Sequence, residues 1–375
     1  MKNRKKIIVS VLSDLVSDQR IHRVALYLQE RNMEVLVLGR SVAGSPAMLP
    51  RPYAFKRIHC FFTRGVLQYA EFNLKLFFRL LFTRYDLLLS NDLDTLLPNR
   101  IAATLKGKPL VYDSHEYFTG MPTLDHKPFT KKVWRALEKL LLPGIKHAYT
   151  VNDSIAALYA KETGISMKAV RNLPSLLPYS TPSAISIPIP QHKTVLIMQG
   201  GGINPEQGYE EAVLAMQYLP DHYLLLIVGG GLLWDKLQNM VHELGLREKV
   251  LMIPRVPFEQ LSAITRRAQL GLCLTLPVCL NHILSLPNKL FDYIHAEIPV
   301  LATDVPEVKQ IIENYGVGKC IGVLTPQTLA TSIEQIFADK EMYSKMKEQA
   351  QKAKTELNWD QEKTKLDEVY GPLLG

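Results

Sequence analysis

Short apolar runs with no in/out alternation recur along this chain, and longer helical patterns separate them. In the first half the runs are Ile7–Leu12, Val35–Leu38, Leu87–Leu89, Leu110–Tyr112 and Tyr149–Val151. Between them lie the helical stretches Arg20–Arg31, Asp94–Leu105 and Lys131–Leu142. A strand that is apolar along its whole length is buried on both faces, and the helices between such strands supply the crossovers. The pattern therefore predicts an α/β chain built on doubly wound parallel sheets. The second half repeats the scheme with Val195–Met198, Leu224–Val228, Val250–Ile253, Leu270–Leu274, Val300–Ala302 and Lys319–Val323. Its helices are expected to begin near Glu210, Leu232, Phe258, Asn288, Val305 and Gln327.

A length of 375 residues fits two such domains. Residues 172–192 carry Pro174, Pro178, Pro182, Pro188 and Pro190, too many for a helix or a central strand, so this span reads as a linker. The expected division is a Rossmann-like domain over 1–175, a proline-rich linker over 176–192 and a second Rossmann-like domain over 193–355. Residues 356–375 read as a C-terminal helix packing back on the first domain. Two such domains are expected to face a cleft, with ligands outside the carboxyl ends of the strands.

Composition narrows the function classes. An apolar content of 47% excludes disorder. Cys60, Cys273, Cys279 and Cys320 form no CxxC pair, so reduced thiols are expected and no metal is. The run Ile7–Leu12 meets Asp14 too early for an export signal, and no stretch of about 18 apolar residues offers a membrane span. A cytoplasmic protein is the expectation. Residues 1–180 hold 27 Lys and Arg against 14 Asp and Glu, a net +13, while the remainder holds 17 against 22, a net −5. Without a helix-turn-helix, zinc-finger or RRM signature, nucleic acid is not the expected partner of the basic half; anionic lipid and a phosphorylated acceptor both stay open. The segment Gly65–Arg84 has two readings. One is an interfacial helix lying peripherally against an anionic membrane; the other is a core-facing helix whose basic side chains snorkel outward.

Several strand-end loops carry chemistry-bearing residues. Gly200-Gly201-Gly202 follows one apolar run and precedes a helix, where glycines let backbone amides approach a phosphate. Gly229-Gly230-Gly231 follows the next run and reads mainly as a turn. In Ser285-Leu286-Pro287-Asn288-Lys289-Leu290-Phe291-Asp292-Tyr293, Pro287 suits the first helical position, with Ser285 or Leu286 half in before it. Lys289 and Asp292 then share a face. An anion-binding helix start followed by a carboxylate suits a nucleotide diphosphate, with Asp292 accepting hydrogen bonds from ribose hydroxyls. In the first half, Asp113, His115 and Glu116 end a buried strand, where an open sheet keeps its functional groups. Asn91-Asp92-Leu93-Asp94 ends the preceding strand, and capping the next helix is its expected task, with contact to an acceptor as the alternative.

Taken in order, these residues resemble a known family. The carrying segments are Ser13-Asp14 through Arg20, Tyr112 to Glu116, Val170-Arg171-Asn172-Leu173-Pro174, Gly201 to Gly208, Pro287 to Tyr293, and Ile298-Pro299-Val300. Over nearly its whole length the chain resembles a retaining glycosyltransferase of the GT-B fold, family 4. The resemblance implies a nucleotide-sugar donor, UDP- or GDP-linked, held by the C-terminal domain, and a polysaccharide, lipid-linked or similar acceptor held by the N-terminal domain. It implies transfer with retention, no essential metal and no cofactor beyond the donor. Donor contacts are expected from Gly201, Gly202, Gln207, Gly230, Arg255, Pro287, Asn288, Lys289 and Asp292, and acceptor contacts from Asp14, Arg20, Asp113 and Glu116. His115 is expected to hydrogen-bond the donor sugar or acceptor, Asp292 to fix the ribose and Lys289 to stabilise the leaving diphosphate.

The chain departs from the family pattern at four positions. The usual arginine and lysine of the donor loop match Gly202 and Gln207, the first of two glutamates matches Leu284, and a small residue matches Glu297. Two other outcomes therefore stay open: an inactive, membrane-associated partner of another transferase, and a nucleotide-sugar epimerase using His115 and Glu116 as acid and base.

Overall fold

The computed structural model describes residues 4–374 apart from Ser17, Leu49, 177–186 and Pro188. Of the linker prolines, Pro178, Pro182 and Pro188 lie outside the described residues. The chain forms two compact units. One runs to Asn172 and takes back the chain from Glu362 onward; the other is Leu173–Gln361.

The first unit contains β1 (Lys6–Ser10), α1 (Gln19–Glu30), β2 (Glu34–Ser41), β3 (Ala54–His59), α2 (Gly65–Phe82), β4 (Leu87–Asn91) and α3 (Leu93–Lys106). It continues with β5 (Leu110–Ser114), α4 (Pro122–Asp125), α5 (Pro128–Leu141), β6 (His147–Thr150), α6 (Asp153–Thr163) and β7 (Lys168–Ala169). Its seven parallel strands lie in the order β3-β2-β1-β4-β5-β6-β7. Every residue of β4 and β5 is buried, which is why their first three residues, Leu87–Leu89 and Leu110–Tyr112, read as unbroken apolar runs, with the polar residues at the carboxyl ends. Asp18 caps α1 by accepting from the Ile21 amide, and Asn152 caps α6 by accepting from the Ile155 amide.

The second unit contains β8 (Thr194–Gly200), α7 (Tyr209–Ala215), β9 (Tyr223–Gly229), α8 (Trp234–Glu243), β10 (Val250–Ile253), α9 (Phe258–Thr265) and β11 (Leu270–Cys273). It goes on through α10 (Leu280–Ile283), α11 (Asn288–His295), β12 (Val300–Thr303), α12 (Pro306–Tyr315), β13 (Gly318–Ile321), α13 (Pro326–Ala338) and α14 (Lys340–Glu356). Its six strands, again parallel, lie in the order β10-β9-β8-β11-β12-β13. The chain then passes through α15 (Trp359–Glu362) to α16 (Leu366–Leu374). In α16, Asp367 accepts from the Tyr27 hydroxyl and from Arg31, and the Tyr370 ring meets Tyr149 edge-on. All four cysteines are free.

Both sheets reverse their winding once, between β1 and β4 and between β8 and β11. A doubly wound sheet opens a crevice at such a point, outside the carboxyl ends of its strands. The loop after β8 carries the first glycine cluster, and the loops after β4 and β5 carry Asp92 and His115.

Candidate functional site

In the second unit the two glycine clusters pack on one another. Gly229 has φ +146°, and a Cβ there would lie 2.0 Å from the carbonyl oxygen of Gly200; one on Gly231 would lie 2.3 Å from the Ile203 amide nitrogen. The second cluster is thus the buttress of the first, in keeping with its reading as a turn. Gly201 is exposed, and nothing stands within 4 Å of the place its side chain would occupy.

Cations converge on this pair of turns from elsewhere in the unit. Arg255, after β10, donates through Nη2 to the carbonyl of Gly201 at 2.6 Å and to that of Gly230 at 3.2 Å. Lys289 Nζ lies 5.1 Å from the centre of the Tyr209 ring, a cation–π contact. The Tyr209 ring leads back to the glycine turn, since a Cβ on Gly200 would lie 3.2 Å from its hydroxyl. That hydroxyl is buried with no hydrogen-bond partner among the described residues.

The helix carrying Lys289 is held by its own core residues. Leu290, Phe291, Tyr293 and Ile294 are buried. The Tyr293 hydroxyl lies 3.2 and 3.3 Å from the carbonyls of Ile197 and Leu272, and the ring lies over Gly271, where a Cβ would come within 2.3 Å of it. Asp292, next to Tyr293, accepts from Gln199 Nε2 at 3.1 Å, and Gln199 Oε1 in turn accepts from the Thr265 hydroxyl at 2.7 Å. Gln199, Thr265 and Tyr209 were not foreseen from sequence. One detail of the helix start is corrected: Pro287 has ψ 136° and is the N-cap itself, with Asn288 the first helical residue. Glu297, where the family pattern has a small residue, takes φ +61° and pairs with Lys354.

The first unit holds a compact charged cluster. The His115 ring lies between two carboxylates, with Nδ1 3.3 Å from Asp92 Oδ2 and Nε2 3.3 Å from Asp113 Oδ2; Nε2 is also 3.3 Å from Asn91 Oδ1. Burial lowers the imidazole's pKa, but Asp92 and then Asp113 outweigh it and raise the value to about 9. His115 is therefore an imidazolium at neutral pH, 23% exposed, and neither ring nitrogen serves as a base. An imidazolium so placed can give up a proton but cannot take one.

Asp92 corrects a second expectation. It occupies the N-cap position of α3, yet its side chain makes no capping bond. Instead Oδ1 accepts from the His115 amide at 2.8 Å. The residue adopts φ 58° and ψ 168°, a region L-residues rarely enter, and such strain persists where surrounding contacts over-determine it.

Arg20 and Asp113 correct a third. Both were expected to meet an acceptor, but Arg20 is 4% exposed and Asp113 0%. Arg20 Nε and Nη2 donate to the Asp113 carboxylate at 2.6–3.1 Å, and Nη1 donates to the Val170 carbonyl at 2.8 Å. Burial alone would raise the Asp113 pKa; Arg20 and His115 hold it below the ordinary value. Asp14 shapes its own loop by accepting from the Val16 amide, and Glu116 is half-buried.

The charge state of His115 predicts a pH dependence. A histidine whose folded pKa lies above its ordinary 6.5 adds stability fully present below that value and lost as pH rises through about 9. The melting-temperature advantage of the wild type over His115→Gln should shrink between pH 6.5 and 9. A constant difference across that range would show that the ring is not held charged.

Residues 18–174 match the family described as Glycosyltransferase Family 4, and residues 185–353 match Glycosyl transferases group 1. Direct comparison with curated proteins finds no matching sequence. Among solved structures the chain is similar to sucrose-phosphate synthase from Thermosynechococcus elongatus, at 15% identity and a TM-score of 0.76 over 99% of both chains. It is similar to HepE from Anabaena, solved in complex with UDP-glucose, at 15% identity and a TM-score of 0.73 over 98% of this chain and 100% of that one. WaaG, a glycosyltransferase involved in lipopolysaccharide biosynthesis, gives 16% identity and a TM-score of 0.72 over 97% and 100%.

Proposed function

The chain belongs to the family 4, group 1 glycosyltransferases of GT-B fold, and from that premise we propose that it moves a sugar with retention from a nucleotide diphosphate to a polysaccharide, lipid-linked or similar acceptor. The observation that carries the donor assignment is the pair of cations at the glycine turns. Arg255 reaches Gly201 and Gly230, and Lys289 lies over Tyr209. They stand in for the arginine and lysine missing at Gly202 and Gln207.

In this reading the diphosphate lies against Gly201, Gly202 and the start of α11, with Pro287 and Asn288 shaping the approach. As the bond from the anomeric carbon to the diphosphate oxygen breaks, negative charge grows on the leaving group. Lys289 and Arg255 stabilise it, each charged hydrogen bond being worth about 1.5–3 kcal/mol. Asp292, fixed by Gln199, accepts from the ribose hydroxyls. The acceptor hydroxyl forms the new bond at the anomeric carbon and passes its proton to the departing diphosphate oxygen. His115 acts as a fixed positive charge for the sugar or acceptor; a hydroxyl bonding to Nε2 has to share that proton with Asp113 and Asn91. HepE was solved with UDP-glucose, which supports trying uridine nucleotides first.

The test is a thermal-shift series with UDP, GDP and ADP and their glucose or mannose conjugates. One base series should raise the melting temperature, since a ligand at a hundredfold excess over its Kd adds about 2.7 kcal/mol. No shift with any of them would overturn the donor assignment and favour the non-catalytic partner that the empty positions at Gly202 and Gln207 also fit.

A further inference from the structure

One buried carboxylate of the first unit has no part in the donor reading. Glu138, on the inner side of α5, is 2% exposed. Its Oε2 accepts from the Thr119 hydroxyl at 3.1 Å, and its Oε1 is buried with no hydrogen-bond partner among the described residues. Asp113 shows what a buried carboxylate ordinarily has, with a guanidinium on both oxygens and an imidazolium beside it. Glu138 has neither. From α6 it meets Tyr159 and Glu162, from β5 Tyr112, and from the chain after β5 Tyr117. The cation that acts on it is Arg135 of its own helix, which is exposed. Of the other helices against α5, α4 brings Asp125, paired with Lys131, and α3 brings Arg100, whose Nη2 donates to the Pro143 carbonyl. Burial is the largest influence and Glu162 adds to it, against Thr119, Tyr159 and Arg135, so that the carboxyl is pushed up to about 7.

What Glu138 holds is the segment that carries His115. Thr119 lies in the short 3₁₀ turn Phe118–Gly120, and the Phe118 ring meets Trp134 of α5 edge-on, 4.8 Å between centroids. The same segment is tied to α6, where the Phe118 amide donates to the Tyr159 hydroxyl at 3.4 Å and the Tyr117 hydroxyl donates to Glu162. Ser114 Oγ lies 2.8 Å from the Glu116 carbonyl and 3.2 Å from the Tyr159 hydroxyl. His115 and Glu116 thus stand on a turn whose underside is a buried polar layer shared with α5 and α6. A neutral carboxyl fits that layer. A carboxylate with one oxygen unmatched does not, and admitting water to it relieves the buried charge.

We propose that Glu138 is a positioning residue for His115 and Glu116: as the neutral acid it keeps the 115–120 segment seated on α5 and α6, and on losing its proton it loosens that segment, so that transfer declines as the pH rises. The inference goes beyond the donor reading and rests on it only for the effect on transfer. The proton concerned is distinct from that of His115, which is held to about pH 9.

The experiment compares the full chain with Glu138→Gln, which keeps the shape of the neutral acid. A carboxyl whose folded value lies above its ordinary 4.5 contributes stability at low pH that is lost as the pH rises toward about 7. The melting temperature of Glu138→Gln relative to the wild type should therefore climb from pH 5 to pH 8. Amide hydrogen exchange in residues 115–120, corrected for its intrinsic pH dependence, should quicken in the wild type between pH 6 and pH 8 and stay constant in Glu138→Gln. Thr119→Val, which cuts the tie without touching the carboxyl, should exchange fast already at pH 6. With the nucleotide sugar that the thermal-shift series selects, wild-type kcat/KM should be about tenfold lower at pH 8 than at pH 6, and Glu138→Gln should stay within about twofold. A flat melting-temperature difference, exchange at 115–120 that ignores pH, or Thr119→Val exchange matching the wild type at pH 6 would refute the proposal. So would a steady wild-type kcat/KM while exchange quickens, since the segment would then loosen without moving the groups that serve transfer. If no nucleotide sugar binds, the donor reading falls, while the melting and exchange measurements still decide whether Glu138 holds the segment.

Discussion

Replacing Lys289 with methionine should lower kcat/KM for sugar transfer about 10- to 100-fold while leaving the fold intact. Methionine keeps an apolar stem of similar length against the Tyr209 ring and removes only the ammonium. The charge is worth about 1.5–3 kcal/mol if it touches the departing diphosphate, at about 1.4 kcal/mol per factor of ten. Because charge on the leaving group is greater in the transition state than in the bound donor, the loss should appear mainly in kcat, with a smaller rise in KM. Lys289→Arg should recover part of the rate. Arg255→Gln offers a comparison: it too removes a cation, but also the ties to the Gly201 and Gly230 carbonyls, so its loss should be accompanied by a lower melting temperature. Steady-state kinetics that leave Lys289→Met within twofold of the wild type would show that the diphosphate is neutralised elsewhere.

The fold was legible because its signal is local. β1, β4, β5 and β9 are built on unbroken apolar runs (Ile7–Val9, Leu87–Leu89, Leu110–Tyr112 and Tyr223–Val228) flanked by helical patterns, and burial on both faces is the physical cause of those runs. β3 escaped because it is an edge strand with alternating exposure, where Phe55 and Ile58 stand among Lys56, Arg57 and His59; β7 is two residues long. The candidate site was legible where a helix start or a glycine turn announced it, as at Gly200–Gly202 and Lys289. It was not where function depends on partners distant in sequence. Gln199 orients Asp292 across 93 positions, and nothing local to a strand-end glutamine signals that. Asp92 sits where a helix cap belongs, so local reasoning assigned it to capping, while the loop after β5 brings it the His115 amide. Arginine at a helix start is ordinarily exposed, and only the tertiary placement of Asp113 takes Arg20 inside.

That burial makes Arg20→Leu the most destabilising substitution expected in the first unit. The guanidinium is the main counter-charge of a carboxylate with no exposure, and it also satisfies the Val170 carbonyl beyond β7. Removing it leaves Asp113 buried beside His115 alone, and breaking such a pair from one side costs about 3–5 kcal/mol. Urea denaturation should show the midpoint falling with an unchanged slope. The partner determines whether the loss comes from a missing contact or an abandoned charge. In Arg20→Leu/Asp113→Leu no buried carboxylate remains, so much of the lost stability should return, because apolar replacements of a buried ion pair are often near neutral. Activity should not return with it. Without Asp113, His115 keeps only Asp92 as a counter-ion, and its pKa should fall toward the ordinary histidine range, so that its positive charge is lost at a lower pH than in the wild type. Stability recovered without transfer would assign Arg20 and Asp113 to positioning His115; recovery of both would reduce the pair to a structural clasp.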